Sequence, residues 1–135
     1  MRDIALLALR PVILTETTTA GQAESFQNQT LRPILKLQND LLLRLFRHYL
    51  VKRKQLGADS RFGRMSQSEQ HTYIDHAIRT DLKFRNLLIG TIVGQFTSAE
   101  LAVFLSDESE LSRRLGNMLT QRIQSQQALL LAIQE

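Results

Sequence analysis

Three histidines, thirteen carboxylates and no cysteine bound the chemistry that this 135-residue chain could perform. His71 and His76 are five positions apart, which sets them about 140° apart on a helix, whereas two ligands for one metal are usually three or four apart. Neither His48 nor His71 has a Glu or a second His at such a spacing. His71 and Asp75 are four apart and could pair, so surface or capping roles are expected for the histidines. The absence of cysteine removes thiol catalysis, disulfide scaffolds and cysteine-ligated zinc together. There is no G-x-S-x-G elbow and no P-loop. No catalytic residue, metal or cofactor is assigned, and the expectation leans away from an enzyme.

Arg85 is the charged residue that most needs an explanation. On a helix it falls between Ile89 and Ile92, on an otherwise apolar side. A buried guanidinium without a partner is very costly, so an internal ion pair is expected, with Asp40 or Asp75 as the mid-helix acid. The functional alternative is a polar ligand pocket lined by Gln38, Asn39, Asp40, Arg85, Asn86 and Gln95. Amides around one guanidinium suit a carboxylate or a phosphate.

The positive charge is unevenly placed. Arg44, Arg47, Lys52, Arg53, Lys54, Arg61 and Arg64 face only Asp59 between positions 44 and 64, a net +6 within a chain of +4, leaving −2 elsewhere. Arg44, Arg47 and Lys54 share one helix side, with Arg61, Phe62 and Arg64 in the loop that follows. Nucleic-acid or other polyanion binding through Arg44, Arg47, Lys54, Arg61 and Arg64 is therefore an alternative function, although Lys52 and Arg53 point elsewhere and no known binding motif accompanies them.

The elements that would position these groups are all helices. No strand-like alternation occurs, and the fold expected is an all-α, compact, single domain of about five or six helices. A short helix over 1–14 is interrupted near Pro11 and followed by a Thr-rich linker, so that 1–21 could be peripheral. Glu24 to Leu56 is mainly helical and amphipathic, with Pro33 in a first turn and Gln38 as the one amide on its apolar side. A loop over 57–63 follows. Ser66 with Glu69, and Thr97 with Glu100, are capping boxes, while Thr80 and Asp81 suit a helix start between them. Ser106 is expected to cap the last helix, whose stripe runs from Leu111 to Ile133.

The helix expected over 81–95 carries apolar side chains all round in LLIGTIVGQF, and burial on most sides is predicted for it. Gly90 and Gly94, one turn apart, would let a neighbouring backbone approach; close packing inside the bundle is expected, with a homodimer seam as the other use. The end of the chain, ALLLAIQE, leaves Leu129, Leu130, Leu131 and Ile133 to be covered by the body or by another copy.

Two blocks, FQNQTLRPILKLQNDLLL (Phe26 to Leu43) and DLKFRNLLIGTIVGQFT (Asp81 to Thr97), resemble a group of short bacterial helical proteins, some of which carry the name glyoxalase. The resemblance extends from about Phe26 to Ile123 and implies an all-helical fold and a bacterial source. It brings no established catalytic residue. Glyoxalase enzymes are built from βαβββ units with metal ligands on strands, and Glu24, Glu69 and Glu100 are placed here as helix-start residues.

The function expected is therefore a non-catalytic interaction or regulatory protein that binds itself or another protein. Polyanion binding and a small-molecule binder or enzyme are the alternatives. No segment reaches the ~18 apolar residues of a membrane span, and the N-terminal apolar run is a poor signal peptide, so no membrane partner and a cytoplasmic location are expected.

Overall fold

Side-chain caps fix where the helices begin. Ser66 and Thr97 each accept from the amide three residues on, and Glu69 and Glu100 return the bond, so both capping boxes form. Asp81 accepts from the amide of Phe84 at 3.1 Å and opens the helix that follows. The computed structural model describes residues 1–12, 21–56 and 60–132, and these are all-helical with no strand among them. The order is α1 (Arg2–Leu9), α2 (Gln22–Phe26), a π-turn (Gln27–Leu31), α3 (Arg32–Leu37), α4 (Asn39–Lys52), α5 (Arg61–Arg64), α6 (Gln67–Thr80), α7 (Leu82–Val93), α8 (Ser98–Ser106), α9 (Glu108–Ser125) and α10 (Gln127–Ala132). Among the described residues no helix is long and apolar enough to cross a membrane.

Several boundaries differ from the sequence expectation, for local reasons. The helix expected over 24–56 widens into a π-turn just before Pro33, whose ring and missing N–H disturb the i→i−4 ladder. It breaks again at Gln38 (φ −90°, ψ 7°), and that side chain reaches α7 instead. Ser106 is not the cap of α9: it ends α8, and its hydroxyl donates back to the carbonyl of Val103. The last helix breaks at Gln126, so α10 folds against α4 and α6. Residues 15–20 of the linker, 57–59 of the loop and Ile133 lie outside the described residues. The rest of that loop is not irregular, because Ser60 caps one helical turn over Arg61–Arg64 and Phe62 is fully buried.

One cluster of apolar side chains joins α2 to α10, including Leu31, Ile34, Leu42, Phe46, Ile74, Ile78, Leu88, Ile92, Leu115, Leu119 and Ile123. Phe26 meets Phe96 edge-on, Phe96 meets Phe104, and Tyr49 stacks on Phe84 at 4.2 Å.

The burial of α7 on most sides is not found. It buries Phe84, Leu88 and Ile92, a single stripe, against α4, α6 and α9. Leu82 and Leu87 are 64% and 51% exposed, and a Cβ placed on Gly90 would meet nothing within 4 Å. The neighbours cover one side only, and α1 reaches no further than its C-terminal end. That end is where α1 is held, although α1 itself buries no residue. Arg2 donates to the carbonyls of Gly94 (3.0 Å) and Phe96 (2.8 Å), and Arg10 donates to that of Gln95 (2.7 Å). Arg10 also grips both oxygens of Glu100 at 2.6 Å, with the two side chains only 8% and 17% exposed.

Burial would raise the Glu100 carboxyl, but the bonds from Arg10 and from the Thr97 amide outweigh it and hold the group below its ordinary 4.5. A carboxyl lowered on folding stabilises fully above its unfolded value, and that stabilisation is lost as pH falls through the folded one. Glu100→Gln should therefore cost about 2–3 kcal/mol at pH 7 and distinctly less at pH 3. Urea unfolding at the two pH values checks this; an equal loss at both would contradict it.

Candidate functional site

The ion pair expected for Arg85 does not form. Asp40 pairs with Arg44 at 2.8 Å and Asp75 with Arg79 at 3.4 Å, each within its own helix. Both pairs satisfy the local i,i+4 geometry of an exposed helix face, which is reached at less cost than a long internal bridge. Arg85 instead extends from α7 onto α9. Its guanidinium donates to the carbonyl of Ser112 at 3.4 Å and lies flat on Gly116, where a Cβ would come within 2.4 Å of it.

The residues expected to line a polar pocket go to separate places. Gln38 donates to the Thr91 carbonyl at 3.0 Å. Asn39 donates to Gln126 and accepts from Arg122, tying the start of α4 to the end of α9. Asp40 and Asn86 are exposed, on α4 and α7 respectively. Gln95 lies beyond the end of α7, with its side-chain oxygen buried and unpartnered. The structure does not bring the six together.

The basic region stays largely at the surface, with Arg47 the one of its seven cations that is not exposed. Arg47 donates to the Leu130 carbonyl in α10 at 3.1 Å, and Arg44 holds Asp40. Arg53 pairs with Asp81 at 2.6 Å and sits 4.9 Å over the Tyr49 ring. Lys54 occupies the left-handed region (φ 57°) just after α4. Arg61 and Arg64 flank Phe62, whose ring packs on Tyr73 and is out of reach of a nucleic-acid base. Leu130 is covered by α10's own packing, while Leu129 and Leu131 remain half-exposed.

His71 reaches Gln127 at 3.4 Å, and its carbonyl accepts from Gln124. Among the described residues no three His, Cys, Asp or Glu side chains gather as a metal site.

What the sequence reading missed is a surface shared by α4 and α7. The two helices run antiparallel, with Gln38 beside Thr91, Tyr49 beside Phe84 and Arg53 beside Asp81. Their outer rows are Leu41, Leu45, His48, Lys52 and Lys83, Leu87, Gly90, Gly94, both at the i, i+4, i+7, i+11 spacing of one helix face. Between them lies a cleft of about 450 Å³ lined by Leu45, Tyr49, Phe84 and Leu87, with His48, Lys52 and Lys83 at its rim. Arg53 and Asp81 also line it, and the Asp81 carboxyl is held below its ordinary value chiefly by the Phe84 amide, and also by Tyr49 and Arg53. The amphipathicity of α4 and the glycine spacing of α7 were legible; their juxtaposition was not.

No known protein family, no curated protein and no solved structure matches this chain.

The Arg85–Gly116 contact gives a direct check on the α7–α9 packing. Gly116→Ala should destabilise by about 1–2 kcal/mol, because a half-buried guanidinium must move. In an Arg85→Met background the same change should cost about 1 kcal/mol less, the two sites being in contact. A double-mutant cycle in urea measures this, and additive losses would rule the contact out.

Proposed function

We propose that the protein is a non-catalytic interaction module that assembles with a second copy of itself through the α4/α7 face. The observation that carries this is the state of α7: from Leu87 on it is largely apolar round its axis, yet its buried residues lie on one side. Leu82 and Leu87 lie exposed, and Leu41 is exposed on the adjoining row of α4. Gly90 faces open space. Glycine in a solvent-facing helix costs about 0.5–1 kcal/mol relative to alanine, and close approach of another backbone is a use that offsets it.

Charge supports a copy of the same chain as the occupant. Lys52 and Lys83 stand at the cleft, on a molecule whose α8 carries exposed Leu101 and Leu105. Asp107 and Glu108 follow directly, both exposed, at the break between α8 and α9. An apolar pair ending in two acids matches an apolar cleft rimmed by two lysines. Such a contact rests on about the same chemistry as helix-in-groove recognition. The C-terminal leucines are a weaker seam, since Leu130 is already covered.

Sedimentation velocity across a concentration series tests the proposal. The wild-type chain should show a concentration-dependent assembly, and Gly90→Leu should abolish it. Because the Gly90 position is open, that variant should keep a thermal midpoint at or above wild type. Lys83→Glu should weaken assembly about tenfold, and adding Glu108→Lys should recover it. A monomer at every concentration, or unchanged assembly in Gly90→Leu, would refute the proposal.

A further inference from the structure

On the opposite side of α4's start, α3 and the end of α9 enclose a polar cleft of about 400 Å³. It is lined by Arg32, Gln121, Arg122, Ser125 and Gln126, over a wall of Leu35 and Met118. Two guanidiniums converge on it, and its lining contains no carboxylate. Arg32 is anchored through Nε by the Asn28 side chain at 2.8 Å, which leaves its terminal amino groups free to turn into the cleft. Arg122 is partly buried, and its one hydrogen bond is to the neutral Asn39 oxygen at 3.1 Å. Among the described residues no acid neutralises it. Burial, followed by the neighbouring charge of Arg32, pulls its proton affinity below the ordinary arginine value.

A half-buried cation beside a second cation is an unfavourable arrangement in an empty protein. Elsewhere in this chain the partly buried Arg10 and Arg114 find a carboxylate and Arg47 a helix-end carbonyl. Arg122 lies in the last turn of α9, where the dipole favours a cation, but its guanidinium goes to Asn39 and not to the α9 carbonyls. What the cleft lacks is an anion with several acceptor oxygens. Two forks of N–H donors, with the amides of Gln121 and Gln126 alongside, suit a doubly charged tetrahedral group better than a single carboxylate.

We propose that the cleft between α3 and α9 is a binding site for a phosphoryl group, held by Arg32 and Arg122. The apolar wall of Leu35 and Met118 leaves room for the organic part of a phosphate monoester. The site lies apart from the α4/α7 face and does not depend on self-association.

Inorganic phosphate is the probe. Titrated into the full-length protein at constant ionic strength made up with chloride, it should raise the thermal midpoint and shift the backbone amide resonances of residues 121–126. Arg32→Gln removes an exposed side chain, so the fold should stand while phosphate binding weakens about tenfold. Arg122→Gln should weaken it by at least as much, and phosphate should then no longer shift the midpoint. Absence of any phosphate response beyond that of chloride overturns the proposal. So does an affinity for phosphate that is undiminished in Arg32→Gln. A short single-stranded oligonucleotide provides a further arm: Arg122-dependent binding of the oligonucleotide without a response to phosphate would make the cleft a polymer site and refute the small-ligand assignment.

Discussion

The C-terminal end of α7 is the constraint on which the arrangement of the other helices depends. A helix leaves its last carbonyls without intrahelical donors, and this one ends inside the protein, where water cannot serve all of them. Gly94, Gln95 and Phe96 turn back to satisfy the carbonyls of Gly90, Ile92 and Val93. The others are reached from far along the chain. Gln38 serves Thr91, Arg2 serves Gly94 and Phe96, and Arg10 serves Gln95 while gripping Glu100. Cations at this position also oppose the negative end of the helix dipole. Thus α1, which buries no residue of its own, is held by guanidiniums at both ends, and the α3–α4 break occurs at the residue whose amide is needed there.

That constraint explains why the apolar character of α7 is not used up within one molecule. Gln38 fixes the start of α4 beside Thr91, and the aromatic contacts of Tyr49 and Phe46 with Phe84 fix the rest of the pair. Once α4, α6 and α9 occupy the Phe84–Leu88–Ile92 side, no element among the described residues covers Leu87 and Gly90. The helix that could have done so, α1, is committed to the C-terminal corner. An exposed leucine alone needs no explanation, since much of any folded surface is apolar. Leucines aligned on two neighbouring helices, with an open glycine in the same row, form a continuous groove, the feature on which the proposed self-association rests.

The sequence made the local order legible and left the long-range pairing unread. Ser66, Asp81 and Thr97 announced their helices because capping is a contact between residues three apart. The amphipathic stripes of α4 and α9 announced the core for the same kind of reason, a short period. Arg85 was recognised as out of place on an apolar face, but its resolution lay in Gly116, a residue whose relevance is the absence of a side chain. Such a cue carries no sequence signal. Glu100 was identified as a cap, yet nothing in its neighbourhood pointed to Arg10, which lies ninety positions away. The all-round apolarity of the Leu87–Phe96 segment was legible as a pattern, but the burial expected from it was not found, since hydrophobic periodicity states how much apolar surface a helix has and not how much of it the fold covers.

The kind of cation this chain uses is itself informative. A guanidinium offers several donors in a fixed fork, whereas an ammonium is a point charge. Arg2 spans two carbonyls and Arg10 a carboxylate together with a carbonyl, tasks that a lysine at either position could not perform with the same geometry. Arg47 and Arg114 likewise reach from one helix to another, to Leu130 and to Gln27. Several arginines thus serve to join helices, while Arg44, Lys52, Arg53, Lys54, Arg61 and Arg64 of the basic run remain exposed. Lys52 and Lys83 line the α4/α7 cleft together with Asp81, while the lining of the Arg32–Arg122 cleft contains no carboxylate. Charge that the fold does not consume is where recognition of another molecule can begin.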